Sequence, residues 1–498
     1  MPRVLKLKSK HMIKVVSAFK MLTITTIGLS TWMIMCNLLI GTAVFTQSKM
    51  QYLGIGILLF ASIFVMHKTC EILNPKFVSL QTFSFGGYLL MISLPSVLQN
   101  PTPYNNFLNV LNPQQTFQQT VILGLFAYAI GTLLANKILH FNIKEQKKYF
   151  STKVLKDNYQ NSFLTTILLS VLSTCILLTY LLQNGLPLND YPIIKMFASS
   201  NINELALARE KVFKLIDPRW NSSSTAFLFF FYLALRVWLF PFLVVYSFLS
   251  FLVTREKRWL FLFGINFFQS VFYAALSIAR APVAALMLRL ALAWHYFKQC
   301  VVGKMQVALI VFLILFFPLL VTILAYGHAN ALSGLIAVFR RLFITPAEDL
   351  FVYFEAFPIY FDFQRGGTLI KPFLHILHWE HFYIENEVYN FQFPFSDVKS
   401  GHANAAFLSN LYADFGPYGS IVGSGVAGLI IQYINICLVR SARNIMNVTM
   451  YAYLVYTLWI INFGSLTSVL GTNGLLFIFL MPVVYSFSDK ILNSIKNK

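Results

Sequence analysis

The sequence predicts an all-α polytopic membrane protein of about twelve transmembrane helices, with both termini cytoplasmic and two long outer loops that carry amphipathic helices. Three observations predict it. Hydrophobic side chains make up 57% of the 498 residues, charged ones only 11%, and the mean hydropathy is +0.66, whereas an average soluble domain carries roughly 25% charged residues. The apolar residues fall into runs of about 20, the length that crosses a hydrocarbon core of roughly 30 Å. The basic residues collect in one set of connecting loops. A soluble chain with 50 Phe, 24 Tyr and 7 Trp would expose large apolar patches to water, which excludes a soluble enzyme. Barrel strands would read as short alternating segments, a pattern absent from this sequence.

The runs place helices near 21–45, 51–67, 76–98, 117–136, 163–183, 225–253, 259–279, 281–297, 305–326, 416–438, 447–465 and 472–488. The run 21–45 follows a basic stretch, but it is too long for a signal peptide and lacks an A-x-A-like cleavage site, so it reads as an uncleaved first span. Gln81, the Gly86-Gly87 pair and Pro95 interrupt the third. With a cytoplasmic N-terminus, the inside loops hold 24 of the 38 basic residues. The net charge of +20 is then topological charge retained in the cytoplasm, and nucleic acid drops out as a partner.

The whole chain, 1–498, reads as one transmembrane domain with outer loops at 184–224 and 327–415. No internal repeat appears, which weighs against the inverted-repeat transporters. In the first loop Ile202, Leu205, Ala208, Val212, Leu215 and Ile216 recur at helical spacing among charged residues. This is an amphipathic helix on the outer membrane face, which either seals the bundle or brings Arg209 to a substrate. The second loop is too long for an ordinary connector, and loops of that size carry function.

Inside the membrane the ionisable residues are few and costly. Arg236 lies in the sixth span, Arg289 near the middle of the eighth, and Arg280 at the outer turn before it, and no Asp or Glu falls within any span. Guanidinium forks without a carboxylate at their own depth fit phosphate oxygens, as a lipid-linked phosphate would supply; snorkelling and pairing with backbone carbonyls are the alternatives. His375, His378 and His381 do not have the H-E-x-x-H spacing of a metalloprotease, and the His/Trp-rich run that holds them reads as interfacial rather than as a zinc site.

The segment from Gly401 through His402, Ala403, Asn404, Asn410 and Asp414 to Gly416-Pro417-Tyr418-Gly419 resembles the bacterial O-antigen (oligosaccharide repeat unit) polymerases and the related O-antigen ligases. Ser277-x-x-Arg280-Ala281 and the pair Arg340-Arg341 are also similar to polymerase patterns. Ala403 stands where ligases carry a second histidine, a departure that favours the polymerase. The resemblance implies a metal-independent, cofactor-free glycosyltransferase of the bacterial inner membrane. It would move a growing glycan from undecaprenyl pyrophosphate onto an incoming undecaprenyl-pyrophosphate-linked oligosaccharide at the periplasmic face, with a flippase and a chain-length regulator as partners. It also implies His402 as the base for the acceptor hydroxyl, with Asp414 as its alternative or a helix cap, and Arg280 as the charge that stabilises the leaving group. Arg236, Arg289, Arg340 and Arg341 would bind pyrophosphate, and Asn404 would orient a sugar or close a helix start.

Overall fold

The computed structural model describes residues 49–72, 74, 77–98, 113–184, 235–276, 280–299, 331–370, 384–394, 403, 405–470 and 473–496. Among these residues the secondary structure is helical, with one isolated bridge between Leu155 and Asn444 in place of any strand. Pro113–Ile138, Ser162–Thr179, Val237–Thr254 and Phe407–Arg440 are long and apolar enough to cross a membrane, and Gly54–Cys70, Pro282–Phe297 and Ile445–Ile460 are shorter apolar helices. The chain is an α-helical membrane protein. The expected spans at 21–45 and 305–326, the helix around Arg209 and the His375 to His381 run lie outside the described residues.

In chain order, α1 is Lys49–Cys70. Helix α2 is α-helical over Leu80–Gly87, π-helical over Tyr88–Ser93 and α-helical again over Leu94–Leu98; α3 is Pro113–Ile138, α4 Ile143–Ser151 and α5 Ser162–Asn184. Then come α6 (π-helical Leu235–Leu239, then Phe240–Thr254), α7 (Lys257–Leu276), α8 (Arg280–Phe297), α9 (Ala331–Phe343), α10 (Thr345–Ala356) and α11 (Ile384–Gln392). The last are α12 (Phe407–Arg440), α13 (Ile445–Ile460), α14 (Leu466–Leu470) and α15 (Met481–Lys496), with a 3-10 turn at Phe477–Leu480.

The interruptions in the expected third span do not end the helix there. Ser79 caps α2 by accepting from Thr82 N at 3.2 Å, and Thr82 Oγ1 accepts from Ser79 N at 3.1 Å, a reciprocal box that satisfies two helix-end donors. The π turn precedes Pro95 and gives the ring and its missing N–H the room that a regular turn lacks. Gln81 is buried and spends its amide on neighbours: it donates to Gly428 O at 3.2 Å and accepts from the Tyr128 hydroxyl at 2.6 Å. A polar residue in this apolar helix is tolerated because helices α3 and α12 satisfy it.

Helices α3 and α12 run side by side in the same direction and touch through small residues. A Cβ built on Gly131 would collide with the Gly425 carbonyl, and one on Gly428 with the Tyr128 carbonyl. Without a hydrophobic drive between helices in lipid, such backbone approach supplies dispersion contact instead. The expected span start at 416 falls on a kink within α12. Gly416 takes φ +66°, Pro417 follows, and helix continues on both sides.

The basic stretch 137–160 is not a plain solvated loop. Asn142 and Glu145 close the start of α4, and Tyr149, Phe150 and Val154 are buried. Arg443 reaches into this layer and donates to the carbonyls of Tyr149, Phe150 and Thr152 and to Tyr296 O. It is 4% exposed, so this basic residue is a buried pin rather than a solvated loop charge. Asp157, also buried, accepts from Tyr246 Oη at 2.7 Å and from Met446 N at 3.0 Å, which closes the first turn of α13.

Candidate functional site

Arg289 is 1% exposed in the middle of α8. Two tyrosines three residues apart on α13 share one face of that helix and meet the guanidinium. Its central carbon lies 4.1 Å from the Tyr453 ring centroid and 4.7 Å from that of Tyr456, within cation–π range. A regular helix would pair the Val237 carbonyl with residue 241, which is a proline without an N–H. The π segment at Leu235–Leu239 leaves that oxygen to side chains: it accepts from Arg289 Nη1 at 3.3 Å and from the Tyr453 hydroxyl at 3.2 Å.

The same hydroxyl reaches Asn473 O at 3.0 Å, in the non-helical stretch between α14 and the last helix. Asn473 folds back on Ser468 through its side-chain amide. Gly474 takes φ +75° against Trp238, whose indole stacks on Phe477 at 5.0 Å and 7°. Non-helical backbone at this position is enclosed by protein, the condition under which a membrane chain tolerates it.

Arg289 Nε and Nη2, and Trp238 Nε1, are buried donors without a hydrogen-bond partner, and among the described residues no carboxylate lies within ion-pair distance of Arg289. The Nε–Nη2 edge of a guanidinium carries two parallel N–H bonds, and it matches two oxygens of one phosphate or carboxylate. Arranged this way, the centre can bind an oxyanion in a low-dielectric setting, where one charge-assisted pair counts for far more than it does in water.

An outer layer is formed by α9, α10, α11 and the start of α12. Arg340 Nη2 pairs with Glu348 Oε1 at 3.0 Å. Arg341 faces Asp349, whose carboxyl burial pushes up to about 7; Arg341 and a hydrogen bond with Gln392 oppose the rise and Glu348 adds to it. Both arginines are exposed. Asp414, 1% exposed, accepts from Thr368 N at 3.1 Å and from Thr368 Oγ1 at 2.7 Å. Gln364 N and Arg365 N donate to the carbonyls of Ala413 and Asp414. Asp414 thus ties the 364–370 turn to α12 and closes the helical turn that begins at residue 367, rather than capping the span that follows it. Tyr353 donates to Ala403 O at 2.9 Å and Ala403 N to Glu385 O at 2.7 Å, so Ala403 is held by α10 and α11.

His402, Asn404 and Arg209 lie outside the described residues, and for Arg236 and Arg280 only the helical backbone is described, in the π segment and as the first residue of α8. None of the contacts of Arg289 includes Arg340, Arg341 or Asp414. Sequence reasoning missed Tyr453, Tyr456, Val237 and Trp238. The proline four residues after Val237 and the three-residue spacing of the tyrosines are the signals that could have found them. No known family, curated protein or solved structure matches this chain.

Proposed function

We propose that the chain is an oligosaccharide repeat-unit polymerase: a glycosyltransferase of the bacterial inner membrane, with about twelve spans, cytoplasmic termini and a site open to the periplasm. The observation that carries the reading is the buried Arg289 with two guanidinium nitrogens unpartnered, a charge at membrane depth suited to an oxyanion that enters with a lipid. The resemblance at 401–419 supplies the chemistry. The hydroxyl of an incoming undecaprenyl-pyrophosphate-linked repeat unit attacks the anomeric carbon of the growing glycan and loses its proton to a base, and the bond to undecaprenyl pyrophosphate breaks with the electrons going to the leaving group. His402 is the base in this proposal, because both oxygens of Asp414 are already engaged by Thr368. Arg280 and Arg289 hold the leaving pyrophosphate, and Arg236, Arg340, Arg341, Asn404 and Arg209 line the approach of the two lipid-linked substrates.

A gel of surface polysaccharide from a strain lacking the gene tests this. Lipid A core capped by a single repeat unit, with no ladder, is the expected result. Long polymer left on the undecaprenyl carrier would instead make the protein an O-antigen ligase, and an unchanged ladder would remove it from the pathway. A flippase is the second reading, favoured by the break between α14 and α15 beside a buried arginine, since interrupted helices line the substrate sites of many transporters. Unpolymerised repeat units retained on the cytoplasmic side would decide for it.

A further inference from the structure

Three buried donors near the break between α14 and α15 have no hydrogen-bond partner: Nε and Nη2 of Arg289 and the indole Nε1 of Trp238. An N–H left unpaired inside a protein is costly, so three of them in one neighbourhood call for a common explanation. The contacts around them place them together. The carbonyl that precedes Trp238 in the chain, that of Val237, accepts from Arg289 Nη1 at 3.3 Å and from the Tyr453 hydroxyl at 3.2 Å. Trp238 and Tyr453 also meet at one glycine: a Cβ built on Gly474 would lie 2.8 Å from Trp238 Cγ and 3.0 Å from the Tyr453 hydroxyl. The indole plane is fixed by Phe477, on which it stacks at 5.0 Å and 7°.

We propose that Trp238 is a specificity-determining residue of the Arg289 centre, whose indole N–H donates to a third oxygen of the bound anion. This role rests on the reading of Arg289 as an oxyanion site. The open edge of the guanidinium fits two oxygens, so by itself it accepts a carboxylate, a phosphodiester or a terminal phosphate alike. The first two carry only two free oxygens, whereas a terminal phosphate carries a third and a pyrophosphate carries more. A site that offers a donor rejects the ligand that leaves it unpaired. The indole N–H therefore selects the phosphorylated end of a lipid over fatty-acid carboxylates and over the phosphodiester headgroups that a membrane supplies in excess.

The test is calorimetric titration of the full chain in detergent with farnesyl phosphate, farnesoic acid, a short-chain phosphatidylglycerol and inorganic phosphate. Trp238→Phe keeps a ring against Phe477 and removes the donor. Benzothienylalanine at position 238, which keeps the indole shape and replaces the N–H by sulfur, serves if that variant folds poorly. Either change is expected to weaken farnesyl phosphate by roughly tenfold or more and to leave farnesoate and phosphatidylglycerol unchanged, while Arg289→Met weakens all of them. Farnesyl phosphate affinity that survives loss of the N–H, or an equal loss for every ligand, would overturn the role of Trp238 and leave Arg289 as the anion site. Affinities that Arg289→Met does not alter would overturn the oxyanion reading itself, and inorganic phosphate bound as tightly as farnesyl phosphate would overturn the assignment to a lipid.

Discussion

Gly131 of α3 and Gly425 of α12 meet backbone to backbone: a Cβ on the first would overlap the carbonyl of the second. The longest of the described helices is thereby seated on α3 without an intervening side chain. Gly131→Ala is expected to lower the stability of the detergent-solubilised protein by about 1–3 kcal/mol, the usual cost of overpacking. Gly54→Ala, where nothing lies within 4 Å, should leave it unchanged or slightly raised. Thermal melts of the two variants check the contrast, and equal melts would mean that the close approach is not retained in the protein.

Arg289→Met separates binding from folding. Replacing a buried charge that no carboxylate pairs by an apolar side chain of similar length is neutral or stabilising, so the variant should fold and melt at or above the wild-type temperature while, under the proposed function, polymer formation falls to background. A strongly destabilised Arg289→Met protein would make the arginine a structural pin and remove it from the proposed site.

Arg443→Ala is expected to do the opposite. It takes the guanidinium from the carbonyls of Phe150 and Thr152, while those of Tyr149 and Tyr296 keep the backbone N–H groups of Thr152 and Gln299, and each buried acceptor left unpaired costs about 1–3 kcal/mol. The folded fraction by size-exclusion chromatography should collapse, with Arg443→Lys recovering only part of it because one ammonium cannot reproduce the planar fork.

The outer layer should respond to pH through Asp349. Its carboxyl is raised to about 7 by burial, so the folded state binds the proton more tightly than the unfolded chain, whose carboxyl titrates at about 3.9. Stability therefore falls as pH rises from the ordinary carboxylate range through about 7, and levels off above it. Amide protection in α10 should drop between pH 5 and pH 8 in the wild type and stay level in Asp349→Asn. A parallel drop in both would assign the pH response to another group.

Much of the framework is legible in composition and periodicity. Apolar runs located the cores of α1 to α3, α5 to α8, α12 and α13, because the length that spans hydrocarbon is set by the bilayer and not by tertiary context. Their ends were less legible. The twelfth run, near 472–488, becomes a non-helical turn at 473–476, a 3-10 turn and the first half of α15, since the Asn473 carbonyl finds the Tyr453 hydroxyl on α13, a partner that a sequence window does not contain. Gln81 looked like an interruption for the same reason: its partners are Tyr128 and Gly428, far away in the chain.

By itself the sequence determined that the chain lives in a membrane as helices, that most of its basic residues fall between its apolar runs, and that arginines stand within or beside those runs without a carboxylate. Only the tertiary structure decided what each charge does. Arg443 and Asp157, which read as loop residues, close backbone groups inside the fold, and Arg340 is paired with Glu348. Arg289 alone among the described arginines is buried against two aromatic rings with an open donor edge. A buried charge is defined by the partners within a few ångströms, and those partners come from helices distant in sequence, so composition and spacing can place the charge but not its role.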